Sequence, residues 1–271
     1  MIQCNHCQSP YPNDHTPHRC PQCGGVYELN CQQNLSLGQI DVDLPGIWRY
    51  KHTFCLPKNA PVVSLGEGNT PLVWCKAFER KVAFKLEFLN PTGSFKDRGT
   101  APLVSFLRSR SISEAVEDSS GNAGASFAAY AAAFGIKARI FVPAYASGPK
   151  CTQIEAYEAE VIRVPGPRSK ATEAVEQLAN EGAVYASHAY MPHDIMGYAT
   201  VAYELLEQLG EAPGTVITPV GQGSLLMGIG RGFETLQRVG LIECMPVLVG
   251  VQAAACAPLW AAFYEILRLS I

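Results

Sequence analysis

The chain of 271 residues is 48% hydrophobic and 17% charged, with a net charge of -3, the composition of an ordinary globular body with room for one large core or two packed lobes. No group of Lys and Arg rises above single residues or pairs, so the electrostatic footprint of a nucleic-acid binder is missing. The longest apolar run, 247–267, is interrupted by Pro258 and Glu265 and reads as a buried strand and helix, not a membrane span.

The opening MIQCNHCQSPYPNDH has neither the basic start nor the apolar stretch of a signal peptide, so nothing in it directs the chain out of the cytoplasm. The ten cysteines are therefore read in a reducing compartment, where pairs mean metal or chemistry more often than disulfides. Cys4-x2-Cys7 and Cys20-x2-Cys23 are two knuckles. Each thiolate pair grips one side of a tetrahedral Zn²⁺, and the two together leave no open position for catalysis, so a structural zinc is expected on Cys4, Cys7, Cys20 and Cys23. The gap between the pairs is slightly shorter than the usual ribbon spacing, which keeps His6, His15 and His18 as substitute ligands. The plainer alternative is four unliganded thiols. Residues 1–31 hold one arginine, no lysine and two acids, which fits a structural or docking role better than nucleic-acid binding.

A polar connector runs to about Asp43, and a domain boundary is expected between 31 and 45, with the zinc-ribbon-like segment taken as 1–34 and the main body as 35–271. In GIWRYKHTF and SLGEGNTPLV, Pro45, Pro57 and Pro61 argue against a helix, and Gly66-Glu67-Gly68 reads as a tight turn before a short strand at Leu72–Trp74. A second strand is expected over 82–88, then a loop, then a helix over 100–110. From Glu114 strands and helices alternate: strands at 115–120, 138–143, 161–165 and 184–187, and helices at 125–135, 151–160 and 170–182. After Pro192 come a helix at 198–209, a strand at 215–220, a glycine loop, a helix at 225–240, a strand at 246–252 and a last apolar helix. Alternation of this length predicts an α/β fold with mainly parallel sheets.

Three loops carry candidate chemistry. In EFLNPTGSFKDRG (87–99), Lys96 stands behind Phe95. A lysine is a Schiff-base nucleophile only where its amine can be neutral, and Phe95 offers the apolar wall; the plainer alternative is an exposed helix start with Lys96 paired to Asp97. Gly221-Gln222-Gly223-Ser224 lies between a strand and a helix, where free N–H groups and the helix dipole suit an anion. Leu226 replaces the third glycine of a dinucleotide fingerprint and the Lys-Ser/Thr ending of a P-loop is absent, so one small phosphate fits better than a nucleotide; a bare turn is the alternative. Ser119-Ser120-Gly121-Asn122-Ala123-Gly124 could receive a substrate carboxylate, or simply be a helix capped by Ser120 or Asn122. Together the loops supply an amine, a carboxylate site and a phosphate site at strand ends, where open α/β sheets bind ligands.

Those residues in that order resemble the threonine synthases and the wider family of type II (tryptophan synthase beta-like) pyridoxal-phosphate enzymes. SLGEGNTPL at 64–72, NPTGSFKDRG at 90–99, SSGNAGAS at 119–126, PVGQGSLLMGIGRGF at 219–233 and the N-terminal knuckles carry the resemblance over nearly the whole chain. It implies a two-lobed fold with open, mainly parallel sheets, the small lobe at roughly 97–190 and the large lobe at 35–96 plus 191–271. Lys96 would hold pyridoxal phosphate as a Schiff base and shuttle protons, with Phe95 beside it, and Asn122 would bond the cofactor's 3-oxygen. Gly221, Gln222, Gly223, Ser224 and Leu225 would cradle its phosphate, while Ser119, Ser120 and Ala123 would face the substrate carboxylate. The reaction implied is conversion of O-phospho-L-homoserine and water to L-threonine and phosphate.

Two departures set further expectations. The family normally continues through a late strand carrying a Ser or Thr for the cofactor's pyridine nitrogen, whereas here the only hydroxyls after Gln252 are Tyr264 and Ser270. The C-terminal part of the large lobe is therefore expected to be missing, leaving the apolar last helix to a homodimer or another partner, and activity in doubt. At Pro192-His193-Asp194 an acid stands where many threonine synthases carry an arginine for the substrate phosphate. The alternatives are a related enzyme acting on another amino acid, cysteate synthase-like or serine/threonine dehydratase-like, or an inactive binding protein of the same fold.

Overall fold

The computed structural model describes residues 2–30, 35 and 40–269, so part of the boundary expected at 31–45 lies outside the described residues. An antiparallel knuckle pairs β1 (Ile2–Cys4) with β2 (Tyr27–Leu29). A hairpin follows, β3 (Leu72–Ala77) against β4 (Arg80–Lys85). Then come helix α1 (Lys96–Ser109), β5 (Glu114–Glu117), α2 (Asn122–Ala133), β6 (Lys137–Pro143), α3 (Pro149–Ala156), β7 (Glu160–Val164) and α4 (Arg168–Asn180). The last part contains α5 (His193–Leu209), β8 (Thr215–Pro219), α6 (Ser224–Arg238), β9 (Val247–Val251) and α7 (Pro258–Leu269).

The alternating pattern gives the expected parallel pairing: β5, β6 and β7 form one sheet in that order, and β8 pairs with β9 in another. The strand expected at 184–187 shrinks to a single parallel bridge, Tyr185 to Val116. Ser187 is the reason, because its hydroxyl accepts the N–H groups of Ala189 and Tyr190 and turns the chain off the sheet edge. Among the described residues no helix is long and apolar enough to cross a membrane.

The knuckle is docked on the body. Tyr11 packs edge-on against Phe106 of α1 at 5.7 Å, and Arg110 donates to the carbonyls of Pro12 and His15 at 2.7 Å. At the other end of the chain, Ile217, Val247, Val251, Trp260 and Phe263 are exposed on β8, β9 and α7.

Helix α1 starts at Lys96, four residues before the predicted start, and runs through Pro102. Pro102 has no N–H to give the carbonyl of Arg98, and α5 comes in against that carbonyl: a Cβ on Gly197 would lie 1.7 Å from the Arg98 oxygen. One residue further along α5, a Cβ on Gly228 of α6 would lie 2.4 Å from the Cβ of Tyr198. Glycine at these two places lets α1, α5 and α6 close on one another.

Arg98, fully buried, locks that contact. It donates to Glu87 at 2.7 Å through Nε and Nη2, to Glu204 at 2.7 and 2.8 Å, and to Thr200 and Thr70. Lys85 adds a second cation on Glu204 at 2.6 Å. Burial opposes charge on Glu204, but Arg98 and Lys85 outweigh it and hold the carboxyl down to about 2. Replacement of Glu204 by Gln should cost about 3–5 kcal/mol, since it leaves a buried cation short of its partner, and a lowered urea midpoint measures it. In the wild type this contribution is complete above the unfolded glutamate value of about 4.3 and is lost as pH falls towards 2. The stability of Glu204→Gln should therefore fall less steeply across that window.

Candidate active site

Lys96, Asp97 and Arg98 follow one another on the first turn of α1 and take three different directions, as successive helical residues do. Arg98 enters the network above. Asp97 is buried and accepts the Thr92 N–H at 2.7 Å and the Ser126 hydroxyl at 2.6 Å. Lys96 is thus not the partner of Asp97 on an exposed helix. Its Nζ lies 5.1 Å from the Phe95 ring and 5.7 Å from the Tyr198 ring, and these rings meet edge to face at 5.4 Å. Burial pushes the amine below the usual lysine value, against the pull of Asp194 and Glu117. That is the environment a nucleophilic amine needs.

The turn at 119–124 is tied to the same place, because the Ser126 hydroxyl of α2, which donates to Asp97, also lies 2.8 Å from the Thr100 hydroxyl of α1. The residue preceding α2 is Gly121, and no side chain caps the helix, so neither Ser120 nor Asn122 has the capping role that was its plainer reading. Asn122 is exposed and Ser120 half-buried. The Ser119 hydroxyl instead accepts the Gly121 N–H at 3.3 Å, and Ala123 is buried.

The glycine loop caps α6. Gly223 has φ +106°, a conformation glycine adopts freely, and the helix starts at Ser224 without a side-chain cap. Among the described residues, no backbone carbonyl takes the N–H groups from Gly221 to Leu226; the first to be used is that of Met227, by Gly223. A row of free N–H groups at a helix N-terminus fits a phosphate, so the residues present suit the group the resemblance implies. The Gln222 side chain is engaged elsewhere, donating to Ala189 at 3.1 Å, so only its backbone faces this row.

A cavity of about 780 Å³ opens beside this loop, lined by Gln222, Gly223 and Ser224 together with His188 and Asp194. Lys96 and the 119–123 turn are not in its lining, but Asp194 is near enough for its charge to act on Lys96, and Lys96 in turn acts on Asp194 and His188. Asp194 is buried in the first turn of α5, with Tyr198 donating to it at 3.3 Å and its Oδ1 unpartnered. Burial raises its carboxyl to about 7, partly offset by Lys96 and His188.

His188, Glu117 and Tyr198 were not among the residues singled out from the sequence. Glu117 and Asp118 precede the 119–124 turn and could have been noticed as acids at a strand end, whereas His188 and Tyr198 reach the site only through the packing. Residues Val26–Leu29 of the knuckle also line the cavity, which no local motif signals.

The four knuckle thiols converge: Cys4 and Cys23 are 3.5 Å apart, Cys7 and Cys20 3.6 Å, and all four sulfurs lie within 4.8 Å of one another. Such a group could hold a tetrahedral metal ion. Among the described residues no histidine joins it; His15 pairs with Asp14, and His18 packs on Tyr185 and Tyr190. Cys55 is disulfide-bonded, so the expectation that cysteine pairs mean metal does not extend to it.

A desolvated amine at the start of α1 and a row of free N–H groups at the start of α6, on an open α/β fold, suit a phosphorylated carbonyl cofactor. Residues 63–267 match the family model described as "Pyridoxal-phosphate dependent enzyme". The chain is 33% identical to the threonine synthase of Methanocaldococcus jannaschii over 97% of its own length and 68% of that protein's. It is 38% identical to the threonine synthase of a Bacillus species, over 66% of the chain and 53% of that protein, and 33% identical to that of Synechocystis, over 77% and 56%. Among solved structures, a fungal L-serine ammonia-lyase from Rhizomucor miehei superposes with a TM-score of 0.64 at 25% identity, covering 72% of this chain and 63% of that one. A pyridoxal 5'-phosphate-dependent aspartate racemase does so with a TM-score of 0.57 at 29% identity, covering 68% and 56%. The chain belongs to the pyridoxal-phosphate dependent enzyme family. It spans from about half to two thirds of the length of these curated relatives.

Metal analysis of freshly purified protein should find about one zinc per chain, and Cys20→Ser should lose it, as a four-thiolate site requires. Wild-type protein free of zinc would refute the assignment.

Proposed function

We propose that the chain is a pyridoxal-phosphate dependent lyase of the threonine synthase type, converting O-phospho-L-homoserine and water to L-threonine and phosphate. The observation that carries this reading is the Lys96 amine, turned away from Asp97 and kept below its ordinary pKa between Phe95 and Tyr198. The threonine synthases among the relatives support the choice of substrate. When bound, pyridoxal phosphate supplies an electron sink for charge developing beside the substrate nitrogen.

Lys96 would hold it covalently and move protons at the substrate carbons, with Phe95 keeping water from the amine. Asn122 would bond the 3-oxygen of the ring, and the N–H groups from Gly221 to Leu225 would take the phosphate. Ser120, with the N–H groups of the turn, would receive the substrate carboxylate. Ser119 would shape that turn, because its hydroxyl is already engaged by the Gly121 N–H. We also propose a structural zinc in the knuckle, a small lobe at 97–190, and a large lobe at 35–96 plus 191–271.

Asp194 on the cavity wall favours a second reading, removal of water from serine or threonine, because a neutral distal group would meet no repulsion there. Release of phosphate and threonine from O-phosphohomoserine distinguishes the two. Cofactor-loaded protein that yields neither, but forms a keto acid from serine or threonine, would replace the first reading by the second.

Borohydride reduction should fix the cofactor to wild type and not to Lys96→Ala. Because the amine lies below its usual value, fixation should persist at lower pH than for ordinary lysines, whose pKa is about 10.4. Equal labelling of both proteins would remove Lys96 from its role.

A further inference from the structure

Resting on this cavity being the substrate site of the reading above, we propose that His188, held by Glu117, receives the distal phosphate of a phosphorylated amino-acid substrate. His188 is then a binding residue and Glu117 its positioning residue.

The geometry begins at β5. Glu117 is its last residue, 1% exposed, and one of its carboxylate oxygens is hydrogen-bonded to His188 Nδ1, while Oε2 is buried without a partner. A carboxylate so enclosed keeps its charge only against a positive group. His188 stands just past the bridge at Tyr185, where Ser187 turns the chain, so its ring is delivered to the end of β5. With Nδ1 committed to Glu117, Nε2 on the far side of the ring has no protein partner among the described residues. The side chain is 19% exposed and lines the cavity that also contains Gly223, Ser224 and Asp194. In the protonated ring both nitrogens carry hydrogen, so Nε2 on this partly open wall becomes a charged donor for an oxyanion.

The surrounding charges agree. Burial works against the imidazolium, but Glu117 outweighs it and raises His188. From α1, Lys96 opposes this, and from β5, Asp118 assists. Asp118 is itself occupied by Tyr185, Thr172 and Arg168. From α5 come Asp194 and Tyr198, joined to each other. Asp194, lifted to about 7 by burial, is a weakened source of repulsion at neutral pH. On α6, Arg231 lines the cavity but pairs at 3.7 Å with Glu234. His188 thus supplies the positive donor that the acid at 194 denies to a phosphate.

The test uses cofactor-loaded protein, so that the glycine loop is already filled, and follows the six histidine rings by NMR, with His188 assigned from the signal lost in His188→Gln. In wild type His188 should titrate above about 6.5, and Glu117→Gln should lower it by about one unit or more. Inorganic phosphate should shift the His188 resonance and raise its pKa further. His188→Gln should weaken phosphate binding and raise KM for O-phosphohomoserine about tenfold or more, with a smaller change in kcat, and borohydride fixation at Lys96 unchanged. A His188 signal that stays fixed while phosphate is added to saturation overturns the proposal. If O-phosphohomoserine is not turned over but phosphate still moves His188, the proposed reaction fails and the anion site stands.

Discussion

The buried guanidinium of Arg98 is the constraint on which the rest of this structure depends. A charge that cannot be neutralised by losing a proton must be surrounded, and Arg98 draws Glu87, Glu204, Thr70 and Thr200 around its planar fork. These partners come from the loop before β3, the turn after β4, and α5. The GEGNTP segment, which reads in the sequence as a turn, is thereby a latch: Glu204 also accepts the Asn69 N–H at 2.7 Å, and Glu67 accepts the Tyr130 hydroxyl of α2 at 2.6 Å. Once Arg98 is fixed, the helix geometry of α1 sends Lys96, two residues earlier, to nearly the opposite side. The direction of the Lys96 amine is thus tied to that of a residue on the other side of the same helix turn.

The glycines at 197 and 228 complete this arrangement by removing volume instead of adding bonds. They bring α1 and α6 close against α5 at neighbouring residues, Gly197 and Tyr198. That single ring then adjoins Phe95 and Lys96 at one side, while its own Cβ lies under the first turns of α6. The Lys96 amine and the glycine loop before α6, separated by more than a hundred residues of chain, are set relative to one another through it.

Polar satisfaction is distributed unevenly. Arg98 and the acids it touches, Glu87 and Glu204, are fully partnered, whereas Glu117 Oε2 and Asp194 Oδ1, near Lys96, have no partner among the described residues, and neither has Glu67 Oε1 in the latch. A scaffold satisfied in one place can hold acids incompletely solvated in another, and such groups have displaced proton affinities that suit a reactive centre. His193 differs: its two unpartnered nitrogens belong to a ring stacked at 3.8 Å on Phe106, and burial lowers it to about 3, so it serves as a neutral spacer under the knuckle.

The sequence by itself determined most of the strands and helices after residue 72, the parallel pairing of those after α1, the glycine turn before α6, the cysteine quartet and the place of the lysine, because each is encoded within a few neighbouring residues by period, spacing or a residue type with restricted conformations; it argued against a helix at Gly46–Thr53, where a short 3-10 helix forms. It misjudged where local competition decides: α1 begins earlier than its apolar pattern suggests, and the strand at 184–187 is cut to one bridge by the Ser187 turn. What only the tertiary structure decided is the direction each charged side chain faces. Lys96, Asp97 and Arg98 read together as an ordinary solvated helix start, whereas in the fold Asp97 and Arg98 are buried on different polar partners and Lys96 lies part-buried beside two aromatic rings. The meeting of Glu117 with His188 across 71 positions, the Asp194 carboxyl beside Lys96 and the knuckle on the cavity wall are likewise contacts between distant segments. Burial and packing create them, and neither is written in any local stretch of the chain.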